Sequence, residues 1–189
     1  MVAEQMLIGI LLGFALRITF AAIDVAGELI GLQMGLSFAS FFDPNSGSQT
    51  SVISEFIGLI TALIFLAMNG HLLTLTVLAE SFSLLPISSS PVHAPAFAKL
   101  LAWSATIFST GVLLALPLIT ALLVTNLALG VLSRIAQTLN IFAVGFPVTL
   151  SIGFIVLMLS LPYMGAVFEK IFSQGFQSME VVMRAAGGV

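Results

Sequence analysis

Of 189 residues, 59% are hydrophobic and only 7% charged, against about 25% charged in an ordinary soluble domain. Five Lys and Arg with eight Asp and Glu cannot hydrate a 19.9 kDa globule of mean hydropathy +1.21, so a soluble monomeric enzyme is excluded. The net charge of −3 argues against nucleic acid, which needs a basic patch, and the absence of cysteine removes disulfides, thiolate catalysis and cysteine metal sites.

The chain opens Met1-Val2-Ala3-Glu4-Gln5, with no Lys or Arg and no small-residue cleavage pattern after a short apolar core, so it does not read as a cleavable signal peptide. A glycine-rich apolar helical segment covers 1–42, interrupted by Arg17, Asp24 and Glu28. An unbroken helix over 6–42 would be about 55 Å long. A hydrocarbon core is about 30 Å thick, so this tract must bend, break or leave the membrane. Turn formers Asp43-Pro44-Asn45-Ser46-Gly47-Ser48 open a loop over 43–55. A second apolar helical segment covers 56–85, with Asn69-Gly70-His71 as a candidate break, and a Pro/Ser-rich connector follows at 86–98. Residues 99–168 read as a long helical hairpin around Arg134, kinked at Pro117, Pro147 and Pro162. Residues 169–189 form a helical tail. The expected fold is all-α, an integral-membrane type of four to five long, kinked apolar helices.

Gly27, Gly31 and Gly35 recur every fourth residue, and Gly9 and Gly13 make a second such pair. On an ideal helix these glycines share one face with Arg17, Asp24 and Glu28. Small residues on a repeating face let another backbone come close, either within the chain or across a subunit seam. Charges in apolar helices face protein, a cavity or each other, and their presence on this stripe points to assembly. A looser stripe is Gly145, Thr149 and Gly153. Phe38, Phe41 and Phe42 crowd the edge of the loop, where an aromatic cluster serves as core, as lipid anchor or as the hydrophobic constriction of a channel. Gln33, Asn126 and Arg134 read as interhelical hydrogen-bonding positions, and His71 as a turn or interface residue. Phosphate-cradling, zinc-protease and nucleophile-elbow motifs are absent from the sequence, and Asp24 with Glu28 does not make an acid–base dyad.

The run Ala26-Gly27-Glu28-Leu29-Ile30-Gly31-Leu32-Gln33-Met34-Gly35-Leu36-Ser37-Phe38-Ala39, followed by Asp43-Pro44, resembles the FliR family of bacterial flagellar biosynthetic proteins. Asn69-Gly70-His71-Leu72, Leu84 with Pro86, Ala115-Leu116-Pro117-Leu118, Asn126-Leu127-Ala128-Leu129-Gly130 and Asn140-Ile141-Phe142-Ala143-Val144-Gly145-Phe146-Pro147 carry the likeness over nearly the whole chain. The resemblance implies a non-catalytic gate subunit of the flagellar type III export apparatus in the bacterial inner membrane, at the flagellar basal body. Its partners would be FliP-type and FliQ-type subunits in a helical assembly, an FlhB-type switch protein and exported flagellar proteins in transit, with no cofactor, metal or nucleic acid. It also implies a plug over 36–52, formed by Leu36, Ser37, Phe38, Phe41, Phe42, Asp43, Pro44 and Asn45. Family members carry several tens of residues before the position matching Glu4, so the chain is expected to begin where the family's middle region begins. The counterpart subunit of a virulence injectisome is the nearest alternative. A small-solute transporter is a more distant one, for which no inverted repeat is found.

Overall fold

The computed structural model describes residues 2–36, 51–86, 93–136 and 141–188. The described residues form helices α1 (Val2–Gln33), α2 (Val52–Ala67), α3 (Gly70–Leu84), α4 (Pro95–Ser104), α5 (Thr106–Ile135) and α6 (Ile141–Gly187), with no strand among them. Three helical stretches are long and apolar enough to cross a membrane: Glu4–Gln33, Pro95–Ile135 and Ala143–Gly187. The pair α2 and α3, bent by 65°, makes a fourth if counted as one span. The protein is thus all-α and of membrane type, built from long apolar helices, of which α5 holds Pro117 and α6 holds Pro147 and Pro162 in its interior. At 1.5 Å rise, the 47 residues of α6 amount to about 70 Å of helix along its path, more than twice a hydrocarbon core of about 30 Å.

The bend between α2 and α3 has a local cause. Asn69 adopts φ 57° and ψ 30°, a left-handed conformation that Asn tolerates better than most residues. Its carbonyl then accepts the N–H groups of Leu72 and Leu73, at 2.9 and 3.1 Å, and so starts α3. Gly70 follows because a Cβ there would meet the Phe65 ring and, at 2.9 Å, the Phe65 carbonyl oxygen. Inside the helices, hydroxyls turn back on their own backbone: Thr74 to Gly70 O, Thr120 to Leu116 O and Ser151 to Pro147 O, at 2.7 to 2.8 Å. In an apolar medium such local bonds keep a hydroxyl from being stranded without water.

The chain divides into two compact units. The first comprises Met1–Ala22, Leu59–Ser109 and Gly165–Val189. Its core pairs two stripes of matching period: Ile8, Leu11, Leu12 and Ala15 on α1, and Met179, Val182, Met183 and Ala186 on α6, joined by Leu85 and Ala96. The spacing i, i+3, i+4, i+7 puts each set on one helix face. Trp103 Nε1 donates to Ala15 O at 3.2 Å, tying α4 to α1, and the backbone N–H of His93 donates to Ala186 O at 3.2 Å, at the end of α6. Phe20, Phe65 and Phe172 meet mutually, with centroids 5.1 to 5.4 Å apart, and Phe176 stacks on Phe65 at 6.4 Å. Such ring pairs contribute beyond the area they bury. Phe172→Leu is therefore expected to cost about 1 kcal/mol, read as a lowered unfolding midpoint in detergent; an unchanged midpoint would refute the role given to the rings.

The second unit comprises Ile23–Gly58 and Thr110–Met164. It buries Ile23, Ala26, Ile30 and Met34, with Ile53 and Ile57 of α2, Ala115, Leu118 and Leu122 of α5 and Leu157 of α6. Outward-facing residues are larger than a soluble protein exposes, including Met158 at 75% and Tyr163 at 76%. Extended apolar surface of this kind meets lipid or another protein.

Candidate assembly and gating surfaces

The carboxyl-terminal end of α1 and the start of α2 pack together as a neck. Gly35 has φ 82°. Its N–H donates to Leu32 O and that of Leu36 to Gly31 O, both at 3.1 Å, which is the Schellman arrangement of a helix end closed by a left-handed glycine. Gly35 thus ends α1 and sets the direction in which Leu36 leaves. Gly35→Ala forces a side chain into left-handed backbone and is expected to cost about 1 kcal/mol. Gly35→Asn should cost less. Equal unfolding midpoints for the wild type and the alanine variant would contradict this.

The return point lies against the same stretch of α1. Ser51, the residue before α2, fills the space a Cβ on Gly31 would occupy. Its backbone N–H donates to Glu28 Oε1 at 3.1 Å. Glu28 thereby supplies a carboxylate to the amino terminus of α2, where unpaired N–H groups and the helix dipole favour negative charge. One turn further on, a Cβ on Gly27 would stand 2.5 Å from Ser54 Cα, and Ser54 Oγ donates to Asp24 O at 3.0 Å. The Ser51 hydroxyl is buried without a hydrogen-bond partner, so its place against Gly31 is decided by packing rather than by polarity.

Within the stripe, Asp24 and Gly27 therefore engage Ser54 of α2 in the same chain, and Glu28 and Gly31 engage Ser51 just before it. Gly35 closes the helix. Arg17 is exposed on the amino-terminal part of α1, as are Gly9 and Gly13, which have no atom within 4 Å of where a Cβ would stand. In the looser stripe, Gly153 receives the side chain of buried Met34, whose Cγ would lie 2.7 Å from an added Cβ, and Thr149, four residues earlier, is buried. Gly175 plays the equivalent part in the first unit, receiving Thr19. Sequence reasoning missed Ser51, Ser54 and Met34, the residues that fill these glycine positions. Their complement to a four-residue glycine repeat lies in another helix and has no local signature.

Leu36 is half-buried at the exit of the neck. The other expected plug residues, Ser37, Phe38, Phe41, Phe42, Asp43, Pro44 and Asn45, lie outside the described residues. Among the described residues, no three His, Asp or Glu side chains gather as a metal-ligand set.

Residues 1–175 match the family described as bacterial export proteins, family 1. The chain is 47% identical to the flagellar biosynthetic protein FliR of Pectobacterium carotovorum subsp. carotovorum, over 95% of this chain and 69% of that protein. It is 46% identical to the FliR of Escherichia coli (strain K12), over 92% of this chain and 66% of the relative. With the FliR of Aquifex aeolicus (strain VF5) it shares 37% identity over 96% of the chain and 70% of the relative. The chain spans about two thirds of the length of these relatives.

Proposed function

Because this chain belongs to the bacterial export proteins, family 1, and is kin to flagellar FliR proteins, it is a subunit of the flagellar type III protein export apparatus, and we propose that it serves there as a structural and gating element of the channel. Its work is done by packing and by opening rather than by covalent chemistry. The single observation that carries the gating part is the neck: a loop that leaves at Gly35 and returns at Ser51 has both ends held on one stretch of α1, by the Schellman closure and by the Gly31–Ser51 and Glu28–Ser51 contacts. A loop so anchored can stand in a channel without drifting along it. In this reading residues 36–52 form the plug, and Phe38, Phe41 and Phe42 supply a constriction that excludes water and ions.

The partners in this reading are FliP-type and FliQ-type subunits, with an FlhB-type switch protein at the cytoplasmic side and flagellar proteins as cargo. The site is the bacterial inner membrane at the flagellar basal body. Gly27, Gly31, Gly35, Asp24 and Glu28 act in the seam by setting the neck. The stretch of α1 offered to a neighbouring subunit is the one around Gly9 and Gly13, where nothing fills the space of a Cβ, flanked by exposed Met6, Ile10 and Phe14 and followed by Arg17. Small residues there allow close helix approach. The test is co-expression with FliP-type and FliQ-type partners and native mass spectrometry of the extracted complex. A complex containing one copy of this chain supports the reading. A chain that stays out of every complex, also when carried within a full-length relative's sequence, removes it.

A further inference from the structure

Within the first unit, the start of the span Pro95–Ile135 and the charged end of α6 stand apart around an open cleft of about 510 Å³, a size typical of small-ligand sites. Its walls are two facing stripes of the same period. Lys99, Trp103 and Thr106 come from one side; Gln174, Gln177 and Ser178 come from α6. In a chain with five Lys and Arg in all, this is an unusual gathering of polar side chains.

Two of the cleft's donors are used within the protein, and the other four residues are not. Trp103 spends its indole N–H on Ala15 O, at 3.2 Å, and stands as a fixed wall. Thr106 Oγ1 donates to Trp103 O at 2.6 Å. The Lys99 ammonium, the Gln174 and Gln177 amides and the Ser178 hydroxyl make no hydrogen bond or ion pair among the described residues. Glu180, the nearest acid along this stretch of α6, is bound to Arg184 at 2.6 Å. No carboxylate lines the cleft. One cation with several neutral donors and no acid selects for an anion rich in acceptor oxygens.

The cleft's position narrows the anion further. Lys99 and Trp103 lie at the start of an apolar span, the place where such residues mark the boundary between water and hydrocarbon. Around them α4 exposes Phe97 at 42% and Leu101 at 71%, so polar lining and apolar surface meet within two helical turns. A ligand with a phosphate at one end and acyl chains at the other satisfies both. We propose that this cleft binds the headgroup of an anionic phospholipid, with Lys99 on the phosphate and Gln174, Gln177 and Ser178 on the phosphate and glycerol oxygens.

The test is native mass spectrometry of the chain in detergent micelles, titrated with phosphatidylglycerol and with phosphatidylcholine of the same acyl chains. Phosphatidylglycerol is expected to bind about fivefold more tightly, the weight of one lysine near an anionic surface. Lys99→Gln should abolish that preference, and Gln177→Ala should weaken it, both with unchanged helical circular dichroism. Lys170→Gln, outside the cleft, should leave it intact, and excess inorganic phosphate should not displace the lipid. Retention of the preference by Lys99→Gln overturns the proposal. So does equal binding of the two lipids, as for a cleft that belongs to a protein partner, and so does displacement by inorganic phosphate, as for a free-anion site.

Discussion

Gly31→Leu is expected to abolish flagellar export and to cut sharply the yield of folded chain. The Ser51 side chain already occupies the space where even a Cβ on residue 31 would stand, and Ile53 Cβ lies 3.9 Å from that position. A leucine must push the start of α2 off α1, which also breaks the Glu28 contact to the Ser51 N–H. Overpacking of this kind costs roughly 1 to 3 kcal/mol or more, and the displaced helix start adds to it. Gly31→Ala alone should impair export, and Gly31→Ala with Ser51→Gly should restore it, because the second change removes the obstructing atoms and the Ser51 hydroxyl forfeits no hydrogen bond. Motility halos and detergent-extracted yield read both outcomes. Failure of the double variant to recover, with Ser51→Gly harmless by itself, would show that Gly31 matters for some reason other than its contact with Ser51.

Replacement of Phe38, Phe41 and Phe42 by alanine should leave complex assembly at wild-type yield while raising the ion conductance of resting cells several-fold. Three phenyl rings exclude water from a narrow passage, and three methyl groups do not. Assembly should be spared because the loop's anchors, Gly35 and Gly31 with Ser51, lie outside the substituted positions. The measurement pairs native mass spectrometry of the complex with a pH-sensitive dye in cells challenged by an acid pulse. An intact complex with unchanged proton leak would remove these rings from the gate. Loss of the complex would place them in assembly instead.

Much of the architecture could be read along the chain because a membrane protein's constraints are largely one-dimensional. Apolar length, interior proline and the turn residues Asn69-Gly70 are legible in order, and the Asn69-Gly70 break appears in the structure as a 65° bend. The tail after residue 168 was harder, since Glu169, Lys170, Glu180 and Arg184 interrupt its hydropathy. Yet it continues α6 without a break, because a helix satisfies its own backbone whatever surrounds it. The glycine stripe was visible, but its use was not. A four-residue repeat says that something comes close, and both packing within the chain and a seam between subunits fit that statement.

The sequence by itself determined the class of molecule: an all-α chain too apolar for water, with small residues on one face of its first helix and the residue runs of the FliR family. Those properties follow from composition and local order, which are present before any folding. The tertiary structure decided what each glycine accommodates: Ser51 at Gly31, Ser54 at Gly27, Met34 at Gly153 and Thr19 at Gly175. It also decided that Gly35 closes a helix and that Lys99, Gln174 and Gln177 line one cleft. The reason is physical. A missing side chain leaves a space whose occupant is selected by helices distant in sequence, and steric fit between them exists only once the chain has folded.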